Sequence, residues 1–261
     1  MSVTTTPVAS AARDALVREA ERRAARQAAG VTIRIVRTVG GLYWAIFTVV
    51  AAAIIIGMTR FGSGLDVGIL DAQMGGPSRW FMMVLGMIVP AAYLRLHLAA
   101  GGTRGTLATG TVRGALVGGA MLGPVTAIYL VGERALFGAL DQSWSRAYGL
   151  PVDGWAGIAL TMLTEAFVVA TYYLVGAAIA AGYYRHDMVR GTAYIIAALV
   201  PAALVDLATH TGVVALLAGP ENLPDDGPGI LLGLAGGLAA IALAGWLFHL
   251  PLRAIPLRPP V

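Results

Sequence analysis

Six long apolar stretches, separated by short polar segments, organise the sequence. They cover approximately residues 39–58, 80–98, 115–131, 155–181, 193–217 and 230–250. Most of them reach the roughly 20 residues that an α-helix needs to cross about 30 Å of hydrocarbon. The pattern therefore predicts an all-α, polytopic integral membrane protein with about six transmembrane helices, gathered in one transmembrane domain over residues 39–250.

The residues before the first apolar stretch are polar and alanine-rich. Asp14 and Arg18, like the acid–arginine pair that follows them, stand four residues apart, a spacing that stabilises an isolated helix. In residues 31–37 apolar side chains alternate with arginines, which is typical of a segment in the lipid headgroup layer. We therefore expect residues 1–38 to form a cytoplasmic helix followed by an interfacial elbow.

Two of the loops carry patterns of their own. Residues 133–154 contain large apolar side chains at intervals of four residues, which predicts a helix lying on the membrane surface. These side chains are Leu136, Leu140, Trp144 and Tyr148. Residues 219–229 are rich in proline, glycine and acid, which predicts a tight irregular turn.

The arginines predict the orientation of the chain. All 18 basic residues are arginine, and with the N-terminus inside only Arg60, Arg79, Arg134 and Arg146 face outward. The other 14 face the cytoplasm: seven before the first span, three in the second-to-third loop, two in the fourth-to-fifth loop and two in the tail. Because positive charge collects on the cytoplasmic side, we expect both termini inside, with residues 251–261 as a cytoplasmic tail.

Composition narrows the class of protein. Hydrophobic residues make up 57% of the chain and charged residues 12%, whereas a soluble domain is roughly one quarter charged. Arginine in place of lysine, with abundant alanine and glycine, is typical of a high-GC bacterium, so we expect the plasma membrane of such a cell. The arginines adjoin the spans and form no platform with interleaved aromatic residues, so we expect no nucleic-acid partner.

Motifs of known chemistry are scarce. The chain has no cysteine, which excludes a thiol nucleophile and thiolate metal sites. Its four histidines are scattered, so we expect no metal site. It carries neither a Walker phosphate loop nor a nucleophile elbow. We therefore expect this chain to bind no cofactor and to catalyse no reaction of these classes.

Two acidic residues lie inside predicted spans. Glu165 falls in the fourth span and Asp206 in the fifth, both near the predicted mid-depth, so that the two are expected to share one polar patch. His210, one helical turn from Asp206, is its expected partner. A charge at mid-bilayer is costly unless it is paired or faces water. Two interpretations stay open: these groups form hydrogen bonds between packed helices, or they line a transport pathway.

Three short segments resemble a known family. A Gly-Thr-Arg sequence at residues 102–104 follows the second span, a Glu-Arg-Ala-Leu-Phe-Gly-Ala sequence begins at Glu133, and the last span ends in Trp246 before an arginine-bearing tail. These features are similar to those of actinobacterial ATP-binding-cassette (ABC) exporter permeases of the second permease class, whose ATPase is a separate polypeptide. Family members often have a second basic residue at the position of Gly105, and larger relatives have a longer last outer loop.

The resemblance implies a six-span permease subunit that is not itself an enzyme. Its expected partners are a second copy of itself, membrane lipids, and two copies of an ABC ATPase that carries ATP and Mg²⁺. Its expected activity is the export of a peptide, lipid or drug-like amphiphile. Gly102, Thr103 and Arg104 would open a short cytoplasmic helix on which the ATPase pushes.

Other functions stay open at this level. One is a non-transporting membrane scaffold or sensor subunit. Another is a membrane-embedded enzyme that uses Glu165, Asp206 and His210. Arg104 also has two interpretations, as an ATPase-coupling residue and as an anchor that follows the positive-inside rule.

Overall fold

A computed structural model describes residues 7–62, 67–72, 77–146, 149, 150, 152–212, 217 and 227–255. These residues are almost entirely helical. In chain order they form α1 (Pro7–Ile35), a π-helical turn (Val36–Gly40), α2 (Gly41–Arg60), α3 (Ile69–Ala72), α4 (Pro77–Ala99), α5 (Arg104–Ala139), α6 (Gly154–Arg185), α7 (Met188–Ala208) and α8 (Gly227–Arg253). Six helices, with α1 and α2 counted as one, are long and apolar enough to span a membrane. The predicted all-α fold is confirmed for the described residues, and the six apolar helices fit a multi-pass membrane protein.

Helix α6 lies at the centre of the bundle. It packs against α4, α5, α7 and α8, and every residue from 168 to 179 is buried. A helix that is apolar and buried on all sides belongs to the core. The other long helices surround α6 and expose large apolar side chains, such as Ile88 of α4, Ile196 of α7 and Leu232 of α8. Such an outward-facing apolar surface is the one expected against lipid.

Glycines set the separation between α6 and its neighbours. A Cβ atom at Gly86 of α4 would overlap the carbonyl oxygen of Tyr173, and a Cβ atom at Gly176 of α6 would overlap the carbonyl oxygen of Met83. The two glycines therefore place the backbones of α4 and α6 in direct contact. Small residues allow this close approach in membrane helix pairs, where dispersion contacts replace the hydrophobic effect as the source of stability.

Helix α1 continues into the first predicted span. The chain stays helical from α1 through the π-helical turn into α2, so no irregular segment separates the two, and the interfacial elbow expected at residues 31–37 stays a prediction. Helix α1 packs on α5: Ala28 meets Gly110, Thr32 meets Gly114 and Val36 meets Gly118. These contacts hold α1 along α5.

Two of the predicted spans have different limits. The third extends over all of α5, because the polar residues before Ala115 continue the same helix. The fifth ends at Ala208 and not at Leu217. His210 (φ 56°) and Gly212 (φ 71°) adopt left-handed backbone conformations that stop the helix. Since the sequence after Gly212 is again apolar, hydropathy alone carries the predicted span too far.

The loop between α5 and α6 is also different from its prediction. Helix α5 ends at Ala139, and the described residues of the loop that follows are irregular, so a separate surface helix over 133–154 is wrong. Asp141 has a φ of 54°, which interrupts the helical path. Val67 and Ser145 then pair in a β-bridge. Tyr148 and most of the predicted turn at 219–229 lie outside the described residues.

Candidate functional site

The two ends of the bundle are named here by residues of α5. At the Arg104 end, α4 and α8 finish and α5 begins, and Arg104 donates a hydrogen bond to the carbonyl oxygen of Ile255 over 2.7 Å. At the Glu133 end, α4 begins and α7 finishes. Most buried charges lie toward the Glu133 end, which makes that region the candidate site.

A buried ion pair joins α4 to α7. Arg79, in the first turn of α4, donates from Nη1 to Oδ1 of Asp206, in the last turn of α7, over 2.8 Å. The two side chains are only 2% and 4% exposed. Tyr172 of α6 donates its hydroxyl to the second carboxylate oxygen over 2.9 Å. Three helices thus meet at one carboxylate, and Gly212 fits beside it because a Cβ atom there would overlap Asp206.

A second buried pair ties the α5–α6 loop to α6. Nη2 of Arg146 lies 3.8 Å from Oε1 of Glu165, and both side chains are less than a tenth exposed. Arg146 also donates to the carbonyl oxygen of Leu150 and contacts the hydroxyl of Thr161 at 3.5 Å. The loop therefore enters the bundle with its arginine pointing inward.

The two ion pairs are together called the buried network. Asp206 receives a Coulombic contribution from Glu165, and the polar patch that the two acids are expected to share stays a prediction. Two arginines balance the two acids. Asp206 lies two residues from the end of α7 and contacts Tyr172 within the buried part of α6, and its expected depth in the bilayer stays a prediction. His210 was expected one helical turn from Asp206, but it lies beyond the end of α7, so this helical spacing does not hold. The carbonyl oxygen of His210 accepts a hydrogen bond from the backbone N–H of Gly149.

A third buried acid, Glu133, lies near the end of α5. It is 4% exposed and accepts hydrogen bonds from the backbone of Ile69 at 2.8 Å, the hydroxyl of Tyr129 at 2.8 Å and the indole of Trp144 at 3.2 Å. This one carboxylate connects α5 to the start of α3 and to the α5–α6 loop. It therefore fixes the same loop that carries Arg146.

The arrangement closes the Glu133 end of the bundle. Opposite charges attract strongly in a buried pair. Separating them costs free energy, because each charge is then buried without a partner. A pocket of about 280 Å³, lined by Arg134, Trp144, Arg146 and Asp153 among others, reaches the network from the surface. Opening this end requires both ion pairs to separate or to exchange partners with water.

The residues predicted for ATPase coupling lie at the opposite end. Thr103 caps α5 through a reciprocal pair of hydrogen bonds with Thr106, and Nε2 of His97 lies 2.9 Å from the Thr106 hydroxyl. A Cβ atom at Gly102 would overlap the His97 ring, so the turn from α4 into α5 is tight. The separate short cytoplasmic helix implied by the resemblance is absent, because the helix that begins at Arg104 continues to Ala139.

Sequence reasoning missed the basic partners of the network. Arg79 and Arg146 were counted only as outward-facing charges, and Tyr172 gave no signal within an apolar stretch. One signal existed: Arg79 stands directly before an apolar span, where an arginine needs an acid or water. The choice of Asp206 as that acid depends on how α4 and α7 both pack on α6, which no local pattern encodes.

No family model, curated protein or solved structure matches this chain. The geometry of the two ends of the bundle and the resemblance of residues 102–104, 133–139 and 246–253 therefore carry the evidence for function.

Proposed function

We propose that the chain is the transmembrane permease subunit of an ABC exporter of the second permease class. Two copies assemble with two separate ATPase subunits, which bind ATP and Mg²⁺, and export a peptide, lipid or drug-like amphiphile across a bacterial plasma membrane. Six helices of membrane-spanning length and composition support the proposal. We infer the family from the resemblance of residues 102–104, 133–139 and 246–253.

One observation carries the proposal: two segments of the resemblance occupy opposite ends of one helix. Helix α5 starts at Arg104, directly after its cap Thr103, and finishes with the seven residues from Glu133 to Ala139. Its 36 residues extend over about 54 Å at 1.5 Å per residue. Because an unbroken helix is stiff along its axis, a push at Thr103 reaches Glu133.

The surroundings of α5 suit a small axial movement. Its contacts with α1 use Gly110, Gly114 and Gly118, and its contacts with α6 use Gly119 and Gly123. At these glycines α5 has no side chain that interlocks with its neighbours. Shifts of about 1–2 Å between packed helices are a common form of conformational change, and a shift of α5 on these surfaces needs little repacking.

A movement of α5 acts directly on the closed end. Glu133 holds Trp144 through a hydrogen bond, and Trp144 belongs to the loop that carries Arg146. Displacing Glu133 therefore pulls Arg146 away from Glu165, which begins to open the network. In this mechanism Glu165 and Asp206 face the cargo pathway only in the open state.

The energy for opening comes from another chain. This sequence has no phosphate-binding loop, and phosphoryl transfer needs one to hold the nucleotide and its metal ion. Arg104 is placed to receive the partner, because it is the first residue of α5 and is only partly buried. An acceptor on the ATPase would bind the exposed part of its guanidinium.

Replacing Arg104 by alanine tests the coupling. We expect the stimulation of ATP hydrolysis by the permease to fall about tenfold, since a hydrogen bond to a charged group contributes about 1.5–3 kcal/mol. Arg95→Ala is the matched control, because Arg95 is an exposed arginine near the same turn. The measurement is ATP hydrolysis by the assembled complex in proteoliposomes, at equal amounts of inserted permease. Equal stimulation in the two variants would remove Arg104 from the coupling site.

A membrane scaffold is the second candidate function. The pairing of Arg79 with Asp206 and of Arg146 with Glu165 in buried positions favours it, because a static network needs every charge matched. The two functions predict different movements of the helices when ATP binds to the partner. Spin labels on exposed Arg60 and Trp155 should change their separation on ATP binding in an exporter and keep it in a scaffold.

A further inference from the structure

A cleft of about 220 Å³ lies between α1 and α5 near the Arg104 end. Its lining includes Arg18 and Arg22 of α1, Arg113 of α5, and the hydroxyl-bearing side chains of Thr106 and Thr109. The three arginines are exposed, and none of them forms an ion pair within the described residues. Three cations thus face one cleft without an ion-pair partner in the described part of the chain.

The placement of these cations follows from the packing of α1. Arg18, Arg22 and Ala25 are spaced three and four residues apart, so they lie on one face of the helix. Ala25 is buried, and its carbonyl oxygen lies against Gly110 of α5. The contact turns this face toward α5, so that Arg18 and Arg22 extend along the flank of α5.

Two other arginines of α1 have an acidic partner. Arg23 and Arg26 both bond to Glu19, at 3.0 and 3.3 Å, on a different face of the helix. Glu21 is the single acid among the residues that line the cleft, and it cannot balance three arginines. The cleft therefore carries an excess of positive charge.

The position of the cleft indicates the source of a negative partner. Thr106 lies in the first turn of α5, at the end of the bundle where α4, α6 and α8 also finish. A lipid headgroup layer surrounds a membrane protein where its apolar helices end. Arginines bind phosphate oxygens through paired hydrogen bonds, the exposed Thr109 hydroxyl adds a further donor, and basic pockets between membrane helices bind anionic headgroups.

We propose that this cleft binds the phosphate of an anionic phospholipid headgroup. The lipid would fasten α1 to α5 beside the capped turn at Thr103. This site is independent of the exporter proposal, because it involves neither the ATPase nor the buried network at the Glu133 end.

Titration of the purified protein with phosphatidylglycerol, followed by native mass spectrometry, tests the proposal. The double variant Arg18→Gln and Arg22→Gln should lose about 25-fold in affinity, since each basic residue near an anionic surface contributes about fivefold. The control is Arg13→Gln with Arg23→Gln, which removes the same charge from α1 outside the cleft and should lose about twofold or less. Arg18→Lys with Arg22→Lys should retain most of the binding.

Three results would overturn the proposal. Equal losses in the double variant and its control mean a diffuse attraction between charges and no defined site. Equal binding of phosphatidylcholine means that the negative charge of the headgroup is not recognised. Displacement of the lipid by inorganic phosphate at a similar concentration means that the cleft takes a free anion and not a lipid.

Discussion

Replacing Arg79 by methionine should lower the apparent unfolding temperature of the purified protein by about 10 °C. Removing one partner of a buried ion pair costs about 3–5 kcal/mol, and for a protein of this size each kcal/mol corresponds to about 2–4 °C. Two described side chains donate hydrogen bonds to the buried carboxylate of Asp206. The substitution removes Arg79 and leaves the Tyr172 hydroxyl. The measurement is thermal unfolding in detergent, followed by tryptophan fluorescence.

Two further variants distinguish loss of the pair from loss of volume. Arg79→Met combined with Asp206→Leu should recover most of the stability, because a buried pair is often replaced by apolar residues of similar size at little cost. Arg60→Met removes an exposed arginine from the end of α2 and should have little effect. A double variant as unstable as Arg79→Met alone would contradict the assignment of Asp206 as the partner.

Replacing Gly86 by alanine should destabilise the bundle by about 3 kcal/mol, near the upper end of what overpacking typically costs. The added methyl group meets the carbonyl oxygen and Cα atom of Tyr173. These are backbone atoms of the central helix, so they cannot rotate away as a side chain would, and α4 must separate from α6. Thermal unfolding of the purified protein measures the effect.

Glycines elsewhere provide controls for this substitution. Gly57 lies in α2 with no neighbouring atom within 4 Å of an added Cβ, and alanine favours a helix over glycine by about 1 kcal/mol. Gly57→Ala should therefore leave stability unchanged or raise it. Gly176→Ala should reproduce the loss, since Gly176 meets the backbone of Met83 from the other side. Similar stability in Gly86→Ala and Gly57→Ala would contradict the close α4–α6 contact.

The sequence predicts the number of spanning helices well because hydropathy is a property of each segment by itself. Their limits depend on more than hydropathy. Helix α5 extends back to Arg104 because Thr103 caps it and because Gly110 and Gly114 pack on α1. Helix α7 stops early at the left-handed residue His210. The mean hydropathy of a window of residues reveals neither a helix cap nor a packing partner.

The candidate site was predicted in part. Glu165 and Asp206 are recognisable because acids are rare in apolar stretches, and their proximity follows from their positions in neighbouring helices. Their arginine partners are not recognisable in the same way. Arg146 comes from a loop that folds into the bundle, and Arg79 comes from a helix three spans before that of Asp206, so both pairings depend on tertiary packing.

The exporter account depends most directly on an ATPase partner. The measurement is purification of the tagged chain from its native membrane in mild detergent, with the mass of the assembly and the identity of each component determined. The account predicts two copies of this chain with two copies of a protein that carries a Walker phosphate loop, and ATP hydrolysis by the purified assembly. Recovery of the chain without such a protein, from membranes in which it is intact, would contradict the account.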